Sequence, residues 1–120
     1  MLFTSREVYK LAKNVNADVY HFHDPELLFY GLKLKKSGKI VIYDVHEDVP
    51  RQILSKFWIN KYLRKSISLL FEKYEDFISA QLSGIITATP HISKRFKLIN
   101  YRTITVNNYP IINELSNPIN

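Results

Sequence analysis

Two stretches decide the fold: Asp18-Val19-Tyr20-His21-Phe22-His23-Asp24-Pro25-Glu26, and Lys39-Ile40-Val41-Ile42-Tyr43-Asp44-Val45-His46-Glu47-Asp48. Residues 18–23 are rich in β-formers and read as a short buried strand. Asp24 then caps a helix, Pro25 takes its first position, and Glu26 favours the positive end of its dipole. That helix runs to Lys36 and stops at Gly38. Residues 39–44 are nearly all apolar, the pattern of a parallel strand covered on both faces. Strand, helix and strand in this order make one crossover unit of a parallel sheet.

The same alternation extends outward. Thr4 to Val15 has Val8, Leu11, Ala12 and Val15 on one helical face. Beyond the turn at residues 45–50, one long helical stretch carries Ile59, Leu63, Ile67, Leu70, Tyr74, Phe77 and Leu82 at a 3.6-residue rhythm up to Gly84. Ile85 to Ala88 is a third strand, Thr89-Pro90 opens a helix through Leu98, and Thr103 to Val106 is a fourth strand. The fold class is therefore α/β: a Rossmann-like parallel sheet of about four strands with crossover helices, over residues 1–110. Residues 111–120, Asn- and Pro-bearing, read as a linker or tail. Strands added one after another in one direction put their crossovers on a single face. The opposite, apolar face would lack cover, an outer strand would be an open edge, and self-association of the isolated chain is expected.

With 120 residues the chain holds at most one domain. Its 46% apolar and 23% charged composition suits a folded protein rather than a disordered one. The absence of cysteine excludes disulfide scaffolds and thiol chemistry and fits a reducing, cytoplasmic compartment. No apolar run is long enough to span a bilayer, and residues 1–7 do not read as a signal peptide. The net charge of +6 admits an anionic partner without choosing one. Nucleic acid is not expected, because no recognised binding motif accompanies the charge. The three glycines, Gly31, Gly38 and Gly84, do not follow strands, so no glycine-rich loop cradles a pyrophosphate here.

Ligands of parallel sheets bind at the carboxyl ends of the strands. There stand Asp24, Glu26, Asp44, Glu47 and Asp48, five of the eleven acidic residues, with His21, His23 and His46, three of the four histidines. Neighbouring strands would set their ends about 5 Å apart. His23, Asp24, Asp44, His46 and Glu47 would then form one rim. Three readings fit this cluster. Histidine with carboxylate neighbours performs general acid–base work or presents a donor to developing charge. His-x-His-Asp with a distant His-Glu supplies metal-ligand types, although no further histidine has its own carboxylate support. Asp24 and Asp48 also precede helices and would simply cap them. A second feature is the basic, aromatic segment Arg51 to Lys65. Its Arg51, Lys56, Lys61, Arg64 and Lys65 interleave with Phe57, Trp58, Ile59, Tyr62 and Leu63. Such a segment can lie on anionic lipid or form a solvated surface helix.

The segment 17–28 followed by 39–48 resembles the N-terminal domain of family 4 glycosyltransferases of GT-B fold. The long helix with Glu72 and Glu75, then Gly84-Ile85-Ile86-Thr87-Ala88-Thr89-Pro90-His91-Ile92, is also similar, as is Val106-Asn107-Asn108-Tyr109-Pro110. The resemblance covers about Val8 to Pro110. It implies a hexosyl transfer, of retaining type, from a nucleotide-sugar donor to a glycan or lipid-linked acceptor, with no metal cofactor. His46 matches the position that reaches the donor sugar, and is the catalytic candidate. His23, Asp24, Glu47 and Asp48 match the acceptor side. The strands that precede this region in the family, and the whole donor-binding domain that follows, have no counterpart here. Ser83-Gly84 stands where an Ala-Asp pair is usual. The resemblance thus implies a partial acceptor domain, inactive alone, in the cytoplasm. Lys56, Trp58, Lys61 and Lys65, with Arg51 and Arg64, would touch the inner face of the membrane. Two alternatives stay open: a free-standing flavodoxin-like binding module, and a metal-dependent hydrolase using His21, His23, Asp24 and His46.

Overall fold

The structure, a computed structural model, describes residues 4–106. Helix α1 (Ser5–Val15) starts from a capping box between Thr4 and Glu7 and ends at Asn16 in the left-handed region, φ 52°. Strand β1 (Val19–Phe22) leads into a single 3₁₀ turn, Pro25–Leu27, whose first amide donates to the Asp24 side chain. Helix α2 (Leu28–Lys36) follows and gives way at Gly38, whose φ of 98° only glycine adopts without strain. Strand β2 (Ile40–Val45), helices α3 (Val49–Ile53) and α4 (Lys61–Ser79), strand β3 (Gly84–Thr87), helix α5 (Pro90–Ile99) and strand β4 (Thr103–Thr105) complete the order. The reading of residues 111–120 as a tail, and of residues 107–110 as entering a linker, lies outside the described residues.

The four strands form one parallel sheet in the order β1-β2-β3-β4. The α/β class and the parallel sheet inferred from the chain are what the structure has. Alternation along each strand sends Val41, Tyr43 and Val45, Ile85 and Thr87, and Thr103 into the core. They meet Leu28, Leu32 and Leu34 of α2, Ile78 of α4 and Leu82 just beyond it, and Ile92 and Phe96 of α5. Tyr9 of α1, with Tyr20 and Phe22 of β1, joins the same cluster. All of this packing is on one face of the sheet. On the other, Val19, Ile40, Ile104 and Val106 are exposed, and Ile42 and Ile86 are only partly covered. Strand β2 is therefore apolar on both faces but buried on one.

Two sequence expectations need correction. The stretch after the turn, residues 51–82, is not one helix: α3 already begins at Val49 and ends at Ile53, and residues 54–60 turn before Asn60 caps α4. The Asn60 side chain accepts from the Tyr62 amide, which starts a new helix in place of continuing the old one. The apolar stripe Leu63, Ile67, Leu70, Tyr74, Phe77 is not the core face either, since all five are exposed. A second stripe with the same period, Ser68, Glu72, Glu75 and Ser79, turns inward or partly inward instead. Three of its four side chains find partners: Ser68 donates to the Pro50 carbonyl at 2.6 Å, Glu75 accepts from Tyr43 at 2.7 Å, and Glu72 pairs with Arg51 at 2.9 Å, while the buried Ser79 hydroxyl has none among the described residues. The Ser79 carbonyl accepts from Asn100 at 2.9 Å. Available hydrogen-bond partners thus outweigh simple amphipathicity in orienting α4. In α1, likewise, Val8 and Ala12 pack while Leu11 and Val15 stay exposed.

Candidate functional site

Because β1 and β2 are paired in register from Val19↔Ile40 to Phe22↔Tyr43, the residues just past them converge. A cleft of roughly 240 Å³ opens there, lined by His23, Asp24, Pro25, Tyr43, Val45, His46, Glu47 and Val49. His23 and His46 meet edge to face, ring centroids 5.7 Å apart. Asp24 leaves one carboxylate oxygen at 3.0 Å from the Glu26 amide, so its capping role and its place in the cleft coexist. The floor is Tyr43, almost wholly buried. Four sequence candidates, His23, Asp24, His46 and Glu47, therefore share one concavity at the carboxyl end of the sheet, where such folds bind ligands.

Asp44 leaves the expected rim. Alternation turns it to the uncovered face, where its two oxygens bridge His21 Nε2 at 2.9 Å and His46 Nε2 at 3.3 Å. His46 thus has one side toward the cleft and a ring nitrogen toward a carboxylate, the arrangement that fixes an imidazole's orientation. His21 and His23 do not converge: one reaches Asp44 and the other packs on His46. Among the described residues no group of three or more His, Asp and Glu side chains is placed to hold a metal ion.

Asp48 is not in the cleft. It points the opposite way, to His91 at 3.4 Å and Arg95 at 3.8 Å. There it joins a network that sequence reading missed. Arg95 of α5 donates from Nη2 to Glu75 and from Nε to Asp76 at 3.1 Å. Arg51 closes the network by pairing with Glu72 at 2.9 Å. Glu75 is only 1% exposed. Burial raises its pKa above the usual carboxylate range, opposed by hydrogen bonds from Tyr43 and Arg95 and by the Arg95 charge. Burial raises Asp76 as well. Burial alone would lower Arg95, but the hydrogen bond and charge of Glu75, together with the charges of Asp76 and Glu72, raise it on balance. The Tyr43 phenol is pushed far up, first by burial and then by the neighbouring Glu75 charge. Tyr43, Glu75, Arg95 and Asp48 therefore form a continuous polar chain from the floor of the cleft to the end of the His46-Glu47-Asp48 loop. The signal in the sequence was the second stripe on α4, polar and equally periodic.

No protein-family model, curated protein or solved structure matches the chain.

The basic, aromatic segment divides. Phe57, Trp58 and Tyr62 are exposed, with Lys56 over the Trp58 ring at 5.1 Å and Lys61 over Tyr62 at 5.2 Å. Lys65 is also exposed. Arg51 and Arg64 are committed within the protein: Arg51 to Glu72, and Arg64 to the carbonyls of Ile59 at 2.9 Å and Phe57 at 3.2 Å. Arg64 thus braces the turn that displays Phe57 and Trp58. Among the described residues no helix is long and apolar enough to cross a membrane.

Proposed function

We propose that this chain forms the acceptor side of a glycosyltransferase cleft, of the family 4, GT-B kind that its motifs resemble. The observation that supports this reading is the convergence of His23, Asp24, His46 and Glu47 around one cleft at the strand ends. Histidines and carboxylates without a glycine-rich loop suit the hydroxyls of a glycan better than a pyrophosphate. In this reading His46, oriented by Asp44, hydrogen-bonds the donor sugar and stabilises charge during hexosyl transfer. His23, Asp24 and Glu47 hold acceptor hydroxyls, and the nucleotide-sugar donor is bound by a separate domain. The reaction needs no metal cofactor, and its place is the cytoplasm. Asp48 has a structural role, as an anchor of the loop.

The test is amide chemical-shift mapping with two probe sets, a panel of oligosaccharides and a panel of nucleotide-sugars. Oligosaccharides are expected to shift the amides of residues 23–26 and 45–49, and nucleotide-sugars are not. Saturable nucleotide binding, or glycan shifts confined elsewhere, would overturn the reading. In an enzyme that carries this chain together with a donor domain, His46→Ala is expected to lower turnover about 100-fold.

The exposure of Phe57, Trp58 and Tyr62 among Lys56, Lys61 and Lys65 favours contact with the inner face of an anionic membrane, which suits a lipid-linked acceptor. Co-sedimentation with vesicles containing anionic lipid is expected at low salt and lost at high salt. Retention at high salt after Trp58→Ala would remove this contact.

A further inference from the structure

A second, wider hollow of about 420 Å³ adjoins the cleft at the strand ends, lined by Asp24, Pro25, Glu26, Val49, Phe71 and Tyr74. The two share Asp24, Pro25 and Val49 as a common edge. Phe71 and Tyr74 come from α4, which contributes nothing to the first cleft. Phe71 is partly buried against the core, whereas Tyr74 is 42% exposed. Their ring centroids stand 6.2 Å apart, with the planes tilted by 52°. The turn after β1 supplies Asp24 and Glu26, both exposed. Asp24 gives one oxygen to the Glu26 amide, and a carboxylate has acceptor sites beyond that one.

The lining chemistry narrows the occupant. Among the described residues, two carboxylates line this second hollow and no lysine, arginine or histidine does. A phosphate or a uronate would meet like charge there with no cation to hold it. A wholly apolar ligand would strip water from both carboxylates and offer no donor in return. A sugar ring suits both parts of the lining. Its hydroxyls donate to carboxylates, and its C–H face lies on the electron-rich face of an aromatic ring. We propose that the hollow is a second saccharide subsite, so that the acceptor is a neutral oligosaccharide of two or more units. The proposal rests on the acceptor reading of the cleft. One sugar sits among His23, Asp24, His46 and Glu47. The next crosses Pro25 and Val49 and stacks on Tyr74, with its hydroxyls on Asp24 and Glu26. Phe71 completes the apolar wall. Helix α4 thereby selects acceptor length and charge, a role separate from the transfer step.

The test titrates the chain with mannose, glucose and galactose, with neutral di- and trisaccharides of each, and with trigalacturonate, followed by NMR. Monosaccharides are expected to shift only the amides of residues 23–26 and 45–49. Neutral di- and trisaccharides of at least one series are expected to shift the Tyr74 ring protons as well. Tyr74→Ala is expected to weaken the disaccharide about five-fold and to leave the monosaccharide unchanged. Tyr74→Phe keeps the ring and is expected to keep the affinity. The exposure of Tyr74 spares the core in both variants, and unchanged thermal unfolding checks this. Trigalacturonate is expected to bind about tenfold more weakly than the neutral trisaccharides. Equal loss of mono- and disaccharide affinity in Tyr74→Ala, or no loss of either, overturns the subsite and leaves the acceptor cleft standing. Trigalacturonate binding as tight as that of the neutral trisaccharides also overturns it. Absence of any glycan shift at residues 23–26 and 45–49 removes the acceptor reading, and the subsite falls with it.

Discussion

At the scale of single residues, Gly31 shows how closely α2 lies on the sheet. A Cβ added there would stand 2.8 Å from Cε1 of Phe22. Phe22 cannot yield freely, because its ring is stacked on buried Tyr43 with centroids 4.9 Å apart. Gly31→Ala should therefore destabilise by about 1–3 kcal/mol through overpacking, in spite of the ~0.5–1 kcal/mol by which alanine ordinarily improves a helix. A raised melting temperature would show that the ring moves aside. Asn100 is a second such residue. It is buried, donates to the Ser79 and Leu82 carbonyls at 2.9 and 3.1 Å, and accepts from the Arg102 amide at 2.9 Å. It thus satisfies the end of α4, the turn after it and the entry to β4 at once. Asn100→Leu strands several of these groups, and a loss of about 2–4 kcal/mol in denaturant unfolding is expected. Neither residue is conspicuous in the sequence, because what singles each out is a neighbour far along the chain.

At the scale of elements, Arg95 joins α5 to α4, with the buried Glu75 as its principal partner. Arg95→Leu leaves that carboxylate unpaired and is expected to cost about 3–5 kcal/mol. Glu75 also shapes the pH dependence. Its folded pKa lies above the ordinary value of 4.5, so the folded state keeps the proton to higher pH than the unfolded chain does. Stability contributed by this group is full below pH 4.5 and declines as pH rises through its folded pKa. Asp76 acts in the same direction. Glu75→Gln, which can still accept from Tyr43, should flatten the decline in unfolding free energy above pH 4.5 without removing it. An unchanged slope would assign the dependence elsewhere. This network also marks where sequence reading stops. Strand alternation, the caps at Asp24 and Thr89, and the stop at Gly38 are local, and the chain announces them. The orientation of α4 is not local. Apolar and polar stripes share one period along it, and the choice between them depends on Tyr43, Pro50, Arg95 and Asn100, which only the finished fold brings near. The place of Asp48, beside His91 and Arg95 rather than at the cleft, depends on equally distant contacts. His23, Asp24, His46 and Glu47 were legible because they need only two adjacent strand ends.

At the scale of the whole molecule, the sheet has helices on one face and none on the other among the described residues. Sequential strand order makes this unavoidable, since right-handed crossovers from β1 through β4 all pass over the same side. Val19, Ile40, Ile42, Ile86, Ile104 and Val106 consequently form an apolar surface, with His21 and Asp44 at its edge. Association through such a surface has no fixed stoichiometry, so it should appear as concentration-dependent loss of protein rather than as a discrete dimer. The substitutions Ile40→Lys and Ile104→Lys remove apolar area from half-exposed positions and take nothing from the packed face. Their effect on thermal stability should stay within about 0.5 kcal/mol, as for other surface positions. Their effect on solubility should be large, because the added charges lie on a flat, edge-bounded sheet where like-charged copies repel. The measurements are the saturating concentration and the light scattering of the double variant against the parent. Equal solubility with lowered stability would mean that this face is covered in the protein. The histidine pair His21 and His46, bridged by Asp44, would then lie at a buried margin rather than at an open one.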